Sequence, residues 1–197
     1  MKERSAALKF SRQIQDRGRP RSDTGEIDTR ALRDNLGSYA SGIAVIASHD
    51  GKEPFGFTCQ SFHSVSLNPP LISFGVMKTS SSYPRIQETR TFSVNVLAKT
   101  QQGISAQLAR RGGDKWAGIA WDMTPGNNPA IAGTLMWLDC ELFAEHEAGD
   151  HYIVIGRVSG MSPRGWHDGE PLLYFKGQYR HLRERDCSNA EPTPCAG

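Results

Sequence analysis

The sequence predicts a mainly β fold, an antiparallel barrel with a few short peripheral helices. Several segments of about six to eleven residues are β-branched or alternate apolar with polar residues, as strands do. Helical patterns are few and short, and no βαβ unit repeats along the chain. Many short strands with few helices are typical of closed antiparallel sheets, in which every strand has two neighbours.

The predicted elements follow one another from residue 28 onwards. Asp28 or Thr29 can cap an opening helix. Its apolar residues, Leu32, Leu36 and Tyr39, recur at helical spacing on one face. The other predicted elements are strands at 43–47, 55–67, 71–76, 91–97, 134–144, 152–160 and 171–179, short helices that start near residues 80 and 100, and a loop over 112–129.

Length and composition indicate a single folded domain. The chain has 197 residues, of which 38% are hydrophobic and 22% are charged, and its formal net charge is +2. This balance is typical of folded, water-soluble domains and differs from that of disordered chains. No apolar run reaches the roughly 18 residues that a membrane helix needs, and the charged N-terminus lacks the apolar core of a signal peptide. We therefore expect a soluble, cytoplasmic protein without a membrane partner.

The positive charge is concentrated at the N-terminus. The first 22 residues hold seven basic groups against two acidic ones, a balance of +5, so the other residues sum to −3. We expect residues 1–27 to be a disordered, solvated leader, although such an arm can also bind nucleic acid or an acidic partner. Residues 183–197 are a predicted disordered tail, in which Cys187 and Cys195 could form a disulfide under oxidation. The predicted domain covers residues 28–182, and we expect no nucleic acid to bind its mildly acidic body.

The signatures of several common enzyme classes are absent from the sequence. It contains no G-x-G-x-x-G, G-x-x-x-x-G-K-[ST] or G-x-S-x-G motif, which argues against dinucleotide-binding, P-loop and hydrolase folds. His146 and His151 are five residues apart in a hairpin-like segment, whereas a zinc protease places two histidines four apart on a helix. The four cysteines show no zinc-ligand spacing either. We expect no metal, and we expect Cys59 and Cys140 to be reduced, buried thiols.

Three polar features interrupt otherwise strand-like segments. Residues 56–62 carry small, hydroxyl and amide side chains, which suit either a polar edge strand or a flat ligand lying against the backbone. Residues 78–82, Lys-Thr-Ser-Ser-Ser, come after a strand and before a helix. Backbone N–H groups and a lysine there can bind an anion such as a phosphate, and an ordinary helix cap is the alternative. Asn95 lies among apolar neighbours and needs partners from a neighbouring strand or from a ligand.

Taken in order, these segments resemble the short-chain flavin reductase family, which has the FMN-binding split-barrel fold. The likeness covers nearly the whole predicted domain. It is most similar to the reductase components of two-component monooxygenases that act on aromatic or steroid rings. The matching segments are Leu36–Ile46, Gly56–Phe62, Ser64–Leu71, Phe92–Leu97, Asp114–Trp116, Gly149–His151 and Pro171–Tyr179.

The resemblance implies an NAD(P)H:flavin oxidoreductase. Hydride would pass from the nicotinamide to flavin N5, and because the cofactors carry this chemistry, no side-chain nucleophile is needed. The implied cofactors are FMN or FAD, used as an exchangeable substrate, and NADH, with NADPH as the alternative. The implied partners are a second copy of the chain, in a homodimer, and a separate oxygenase that receives the reduced flavin.

The resemblance also implies roles for individual residues. His151 would orient the nicotinamide from a hairpin that lies over the flavin, and the remaining residues would bind the flavin or lie near it. These are Gly56, Phe57, Thr58, Gln60 and Ser61 for the ring and ribityl chain, Lys78, Thr79 and Ser80 for the phosphate, Asn95, Val96 and Ser105 for further flavin contacts, and Phe175 and Tyr179 near the nicotinamide.

Two other functions are compatible with the same barrel. One is a non-catalytic binder that holds flavin or haem as a carrier or sensor, and it would keep a chromophore bound without oxidising NADH. The other is an enzyme similar to pyridoxamine-phosphate oxidase, which would bind flavin tightly and oxidise amines. A weak, exchangeable flavin site distinguishes a diffusible-flavin reductase from both.

Overall fold

The structure, a computed structural model, describes residues 27–182. The predicted leader, apart from its last residue, and the predicted tail with its two cysteines lie outside these residues. Helix α1 (Thr29–Leu36) belongs to a compact unit that ends at Tyr39, and the body from Ala40 onwards forms a second unit.

Helix α1 begins where its capping residue predicts. The Asp28 carboxylate accepts hydrogen bonds from two backbone N–H groups of the first turn, at 2.8 and 3.4 Å. The helix ends at Gly37, so Tyr39 lies beyond it. The apolar side chains of Leu32 and Leu36 are exposed.

The body consists mainly of strands, and every pairing between them is antiparallel. Its described residues also form two α-helices and one 3₁₀ turn. The helical elements are α2 (Tyr83–Thr89), the 3₁₀ turn (Lys99–Gln101) and α3 (Gln102–Leu108). The strands are β1 (Ser41–Gly42), β2 (Ala44–His49), β3 (Pro54–Cys59), β4 (His63–Leu67), β5 (Pro70–Met77), β6 (Thr91–Val96), β7 (Trp121–Met123), β8 (Pro129–Ile131), β9 (Met136–Ala148), β10 (His151–Met161), β11 (Leu173–Phe175) and β12 (Gln178–Arg180).

Seven of the strands form one sheet in the order β3-β2-β6-β9-β10-β5-β4. β3 and β4 are its two edges, although the chain passes directly from one to the other through residues 60–62. The sheet therefore curls into a barrel that is split between β3 and β5. Two smaller sheets, β1-β11-β12 and β7-β8, complete the body.

Apolar side chains from facing strands fill the barrel. In β6, Phe92 and Val94 point into the barrel, whereas Ser93 and Asn95 point to the other face of the sheet. The rings of Phe74 and Phe92 meet edge to face with their centroids 5.4 Å apart. The buried core consists of Ala44, Ile46, Phe55, Cys59, Ile72, Phe74, Val76, Tyr83, Ile86, Phe92, Val94, Cys140, Leu142 and Val154.

Strand β2 is buried on both of its faces. Ile46 points into the barrel, while Val45 packs into a second apolar cluster outside it. Leu108 of α3, Trp116 and Leu172 supply much of that second cluster. Burial on both sides explains why the sequence of this strand is a continuous apolar run rather than an alternating one.

Two predicted strands are each two strands in the structure. The predicted strand at 55–67 bends at residues 60–62, which separate β3 from β4. The predicted strand at 171–179 turns at Lys176 and Gly177, whose φ angles are 50° and 74°, and forms the β11–β12 hairpin. Neither turn has the Asn-Gly or Asp-Gly pair that marks a tight hairpin in a sequence, so the prediction joined the strands.

Two predicted connections contain more strand than expected. The predicted loop at 112–129 includes β7 and the start of β8, which are only three residues long and therefore too short to show a period. β9 and β10 extend to a turn formed by Gly149 and Asp150 alone. His151 is consequently the first residue of β10 and not part of a loop.

Candidate functional site

The split in the barrel is spanned by a side chain. The Ser61 hydroxyl accepts a hydrogen bond from the Gly75 N–H at 2.8 Å and donates to the Gly75 carbonyl at 3.2 Å. It also lies 3.3 Å from the Cys59 sulfur. Pairing between β4 and β5 reaches only as far as Ser73, so the last residues of β5 border an opening opposite the end of β3. The neighbouring Gln60 is exposed.

The backbone of β3 faces this opening because β3 is an edge strand. The Gly56 carbonyl accepts a hydrogen bond from the Ser82 hydroxyl at 3.0 Å, so it points away from β2. Alternate residues of an antiparallel strand direct their backbone groups to the same side, so Thr58 presents its backbone groups to the opening as well. Gly56 cannot carry a side chain, since a β-carbon would lie 2.3 Å from the Ile46 carbonyl oxygen. The Phe57 ring is partly buried against the barrel core.

His151 lies at the end of β10 that borders the same opening. It pairs with Met77, the last residue of β5, and its side chain is 42% exposed. The imidazole Nδ1 is 2.7 Å from a carboxylate oxygen of Asp150, and this hydrogen bond lowers the pKa of Asp150. An ionised carboxylate can only accept, so Nδ1 carries the proton and Nε2 of a neutral ring is an acceptor.

Three predicted site residues meet on the α3 side of β3. The Thr58 hydroxyl donates to the Ser105 carbonyl at 2.7 Å, and the Ser105 hydroxyl lies 3.0 Å from the Tyr179 hydroxyl. The Tyr179 ring packs edge to face on Tyr174, with centroids 5.4 Å apart. Phe175 is half-buried on the neighbouring strand β11. The structure thus brings Thr58, Ser105 and Tyr179 into one hydrogen-bonded chain.

A cleft of about 280 Å³ lies beside β3, where α2 begins. Arg85 forms part of its wall and is held by the carboxylates of Asp50, at 2.5 Å, and Glu53, at 3.0 Å. Its guanidinium also lies 4.0 Å from the centroid of the Phe55 ring. Backbone N–H groups and Arg85 together lower the pKa of Asp50. The full lining is Glu53, Pro54, Phe55, Gly56, Ser81, Ser82, Arg85, Gly112, Gly113, Asp114, Lys115 and Trp116.

Trp116 in this lining has an unpaired donor. Its indole Nε1 is buried without a hydrogen-bond partner among the described residues. The atom is inaccessible from the cleft, so other atoms of the Trp116 ring form the wall. Ser81, which is exposed, and Lys115, which is half-buried, add a hydroxyl and an ammonium group to the same wall.

The predicted phosphate residues are not in this cleft. Lys78 donates to Glu147 at 2.9 Å, on the β9–β10 hairpin. Thr79 is exposed, and the Ser80 hydroxyl accepts a hydrogen bond from the Tyr83 N–H at 3.3 Å, within the start of α2. The serine run reaches the cleft only at Ser81 and Ser82.

Asn95 has partners for its amide within the chain. It is fully buried, its Nδ2 donates to the Ser93 hydroxyl and the Pro129 carbonyl, both at 3.0 Å, and its Oδ1 accepts from the Ile131 N–H at 2.8 Å. The neighbouring strand β8 therefore supplies the partners, one of the two alternatives that the sequence leaves open. Val96, the next residue, is half-buried and pairs with Ala44. A flavin contact by either residue stays a prediction.

The two buried cysteines are free thiols, as predicted. Burial raises the pKa of Cys59 and raises that of Cys140 to about 12. Both thiols are therefore protonated at neutral pH and unsuited to nucleophilic attack. Among residues 27–182, no group of three His, Cys, Asp or Glu side chains is arranged to hold a metal ion. Over the same range, no helix has the length and apolar character needed to cross a membrane.

Sequence reasoning gave no site role to three residues that line the cleft or bond to the end of β5. Arg85 comes one helical turn after the serine run, and that spacing is the only signal that connects it with the cleft. Trp116 belongs to a segment that supports the family resemblance, but the resemblance gives it no role in the site. Glu147 is 69 residues from Lys78 in the sequence, so nothing local connects the two.

Comparison with known proteins agrees with this geometry. A family described as flavin reductase like domain matches residues 36–183. The chain is 42% identical over 153 residues to the reductase subunit of a flavin-dependent monooxygenase from Rhodococcus jostii, covering 78% of this chain and 77% of that protein. It is 35% identical over 155 residues to an FMN reductase (NADH) from Agrobacterium fabrum, covering 79% and 87%.

A solved structure gives the same result. The NADH:FAD oxidoreductase from Streptomyces globisporus, in complex with NAD and FAD fragments, superposes with a TM-score of 0.75 at 31% identity, covering 82% of this chain and 96% of that one. The fold is thus that of a split-barrel oxidoreductase. The chain belongs to the flavin reductase-like domain family. The predicted family, fold class and enzyme class are confirmed.

Substitution of Asn95 separates a supporting role from a ligand contact. We expect Asn95→Ala to lower the free energy of unfolding by about 1–3 kcal/mol, because it leaves the buried Ile131 N–H without its acceptor, while the Pro129 carbonyl still accepts from the Ser93 hydroxyl. Denaturant unfolding measures the change, and Gln178→Ala, which removes an exposed amide, is the control with a change below about 0.5 kcal/mol. Unaltered stability combined with weakened flavin binding would show instead that Asn95 contacts the flavin.

Proposed function

We propose that this protein transfers hydride from NADH to a free flavin and releases the reduced flavin to a separate oxygenase. The observation that carries the proposal is the opening in the barrel, which brings together the open edge of β3, the end of β5 and His151. Membership of the flavin reductase-like family supports the same reaction. Flavin N5 accepts the hydride when the flavin is bound, and the protein supplies binding and orientation.

The flavin ring is proposed to lie against the open edge of β3. The backbone N–H and C=O groups of Thr58 can pair with the polar edge of a flat ring there, while the Gly56 carbonyl already accepts from Ser82. The side chains of Thr58 and Ser61 already have partners within the chain, so they hold the strand in place. The ring is thus recognised mainly by the backbone, which leaves Gln60 as an exposed amide at the rim.

The polar end of the flavin is proposed to enter the cleft. Ser81 and Lys115 offer donors to phosphate or adenosine groups. Arg85 adds little net positive charge, since two carboxylates already neutralise it. Such a site favours modest affinity, which suits a flavin that must leave after reduction. FMN and FAD both remain candidates, because one relative is named for FMN and the Streptomyces structure for FAD.

His151 is proposed to orient the nicotinamide. Its Nε2 can accept a hydrogen bond from the carboxamide of the ring, because Asp150 fixes the proton on Nδ1. Holding two flat rings in contact lowers the entropic barrier to the reaction, and no side chain needs to react. NADH is the proposed donor, since the FMN reductase from Agrobacterium fabrum and the Streptomyces enzyme are both named for NADH.

The proposed partner is a separate oxygenase in the cytoplasm. The Rhodococcus relative is named as the reductase subunit of a flavin-dependent monooxygenase, which implies an oxygenase subunit for that protein. A reductase that releases its flavin needs such a consumer, because reduced flavin in water reacts with oxygen unproductively. We extend this arrangement to the present chain.

We also propose that the chain forms a homodimer through the outer face of β5, β10 and β9. Met77, Ile153 and Phe143 are large, exposed apolar side chains on these strands. The edge strand β4 adds Val65 and Leu67, and Leu67 is 90% exposed. A second copy of the chain is the proposed occupant, because His151 lies on the same face as Ile153, and a twofold partner there would cover the nicotinamide site.

The proposed reaction is tested by NADH oxidation with added flavin. We expect turnover that requires FMN or FAD and rises with flavin concentration to saturation, with flavin that exchanges freely on dialysis. Absorbance of NADH and flavin titration by fluorescence measure the two properties. A tightly held chromophore without NADH oxidation would favour a carrier or sensor, and amine oxidation by a tightly bound flavin would favour the pyridoxamine-phosphate oxidase-like alternative.

Replacement of His151 tests the nicotinamide site. We expect His151→Ala to raise the KM for NADH about tenfold, the loss of one good hydrogen bond, with little effect on the KM for flavin. His167→Ala is the matched control, since His167 is an exposed histidine in the loop between β10 and β11. Equal NADH kinetics in the two variants would remove His151 from the site.

The oligomeric state of the protein tests the proposed dimer face. We expect the native chain to have the mass of a dimer in light scattering and Ile153→Glu to shift it to the monomer, because a buried charge without a partner opposes association. Met123→Glu is the control, as Met123 on β7 is 42% exposed and Ile153 is 45% exposed. A native monomer, or a dimer that both variants retain, would contradict this face.

A further inference from the structure

Lys78 connects the end of β5 with the turn of the β9–β10 hairpin. Its Nζ donates to Glu147 Oε2 at 2.9 Å, on the β9 arm of the hairpin. Its backbone N–H donates to the Asp150 carbonyl at 2.9 Å, in the turn. The ammonium also lies 5.5 Å from the centroid of the Tyr152 ring, on the β10 arm. One residue thus contacts both arms of the hairpin and the turn between them.

That turn is the part of the hairpin that holds His151. Asp150, which accepts the Lys78 backbone hydrogen bond, also binds Nδ1 of the imidazole with its carboxylate. Glu147 stands on the other side of the turn, one residue before the pair formed by Ala148 and His151. The position of the imidazole therefore depends on where Lys78 holds the turn.

The surroundings of Lys78 do not suit a phosphate ligand in the cleft. The cations that line the cleft are Arg85 and Lys115, while Lys78 is absent from its wall. The carboxylate of Glu147 is the main cause that raises the pKa of Lys78, so the ammonium charge is already engaged. Asp150 lies close enough to act in the same direction. A phosphate would have to displace Glu147 from this lysine.

We propose that Lys78 is a positioning residue for His151, acting through Glu147 and Asp150, and that it is not a ligand of the flavin phosphate. This inference rests on the proposed function, in which His151 orients the nicotinamide. It assigns to Lys78 a role in nicotinamide binding where the family resemblance implies one in flavin binding.

The remainder of the hairpin has an independent anchor. Glu145, two residues before Glu147, accepts hydrogen bonds from the Tyr83 hydroxyl and from Gln87 of α2. The variants remove only the side-chain contact with Glu147 and keep the backbone bond from Lys78 to Asp150, so they loosen the turn without detaching the hairpin from the body. The variants below should fold, and their effects should be confined to the turn.

The test compares the kinetics of Lys78→Met, Glu147→Gln and the double variant. We expect each single variant to raise the KM for NADH about two- to fivefold, the range that an exposed ion pair supports. The double variant should equal the singles, because either change removes the same contact. In a His151→Ala background, Lys78→Met should have no further effect. The KM values for FMN and for riboflavin, which lacks the phosphate, should stay equal to those of the native protein.

Glu170→Gln is the matched control. It breaks an ion pair with Lys99 that has the same 2.9 Å length and lies away from the hairpin, so NADH kinetics should not change. A Lys78→Met variant that raises the KM for FMN and leaves that for riboflavin unchanged would overturn the proposal in favour of a phosphate ligand. Native NADH kinetics in both Lys78→Met and Glu147→Gln would overturn it as well.

A measurement that does not depend on NADH oxidation tests the role of Lys78 separately from the proposed function. We expect backbone hydrogen exchange over residues 147–151 to be faster in Lys78→Met and Glu147→Gln than in the native protein, and unchanged in Glu170→Gln. If the native protein oxidised no NADH, the proposed function would fail. The exchange rates would still test whether Lys78 holds the turn of the hairpin. Unchanged exchange in both hairpin variants would overturn the positioning role of Lys78.

Discussion

The opening in this barrel depends on the hydrogen bonds between the Ser61 hydroxyl and the backbone of Gly75. They satisfy the polar groups of β5 beyond the end of β4, where no strand is hydrogen-bonded to that edge. Because a side chain takes the place of a strand, β3 keeps a free edge while β5 continues to the hairpin with His151. A full ladder between β3 and β5 would stabilise the barrel but leave no backbone for a ligand.

The same constraint divides the polar residues of the site into two groups. Thr58, Ser61 and Asn95 have hydrogen-bond partners within the chain: Thr58 and Ser61 hold strands that border the opening, and Asn95 holds β8 against β6. In the proposed site the ligand would bind main-chain groups of β3 and the Ser81 and Lys115 side chains of the cleft. A reaction carried by two cofactors requires this kind of surface rather than a nucleophile, which explains why the sequence contains no signature of a catalytic side chain.

The strands with a clear period could be predicted from the sequence, and the contacts between distant segments could not. Alternation in β6 indicates which side chains enter the barrel. It does not show that β8 covers the other face of the sheet, where Asn95 lies. β8 has only three residues, so its sequence shows no strand period. Its position depends on the hydrogen bonds of the Asn95 amide. Lys78 illustrates the same limit at the site. Its place after a strand suggests an anion site, whereas its partner, Glu147, lies on a strand pair far along the chain.

The position of Trp116 has an optical consequence. Its ring lies 6.2 Å from that of Trp121 in an edge-to-face arrangement, and Trp121 in turn lies 5.7 Å from His49. An indole in the wall of the cleft would come within contact distance of any aromatic molecule that enters it. The fluorescence emission of Trp116 and Trp121 is therefore expected to change when an aromatic ligand binds in the cleft, without an attached dye.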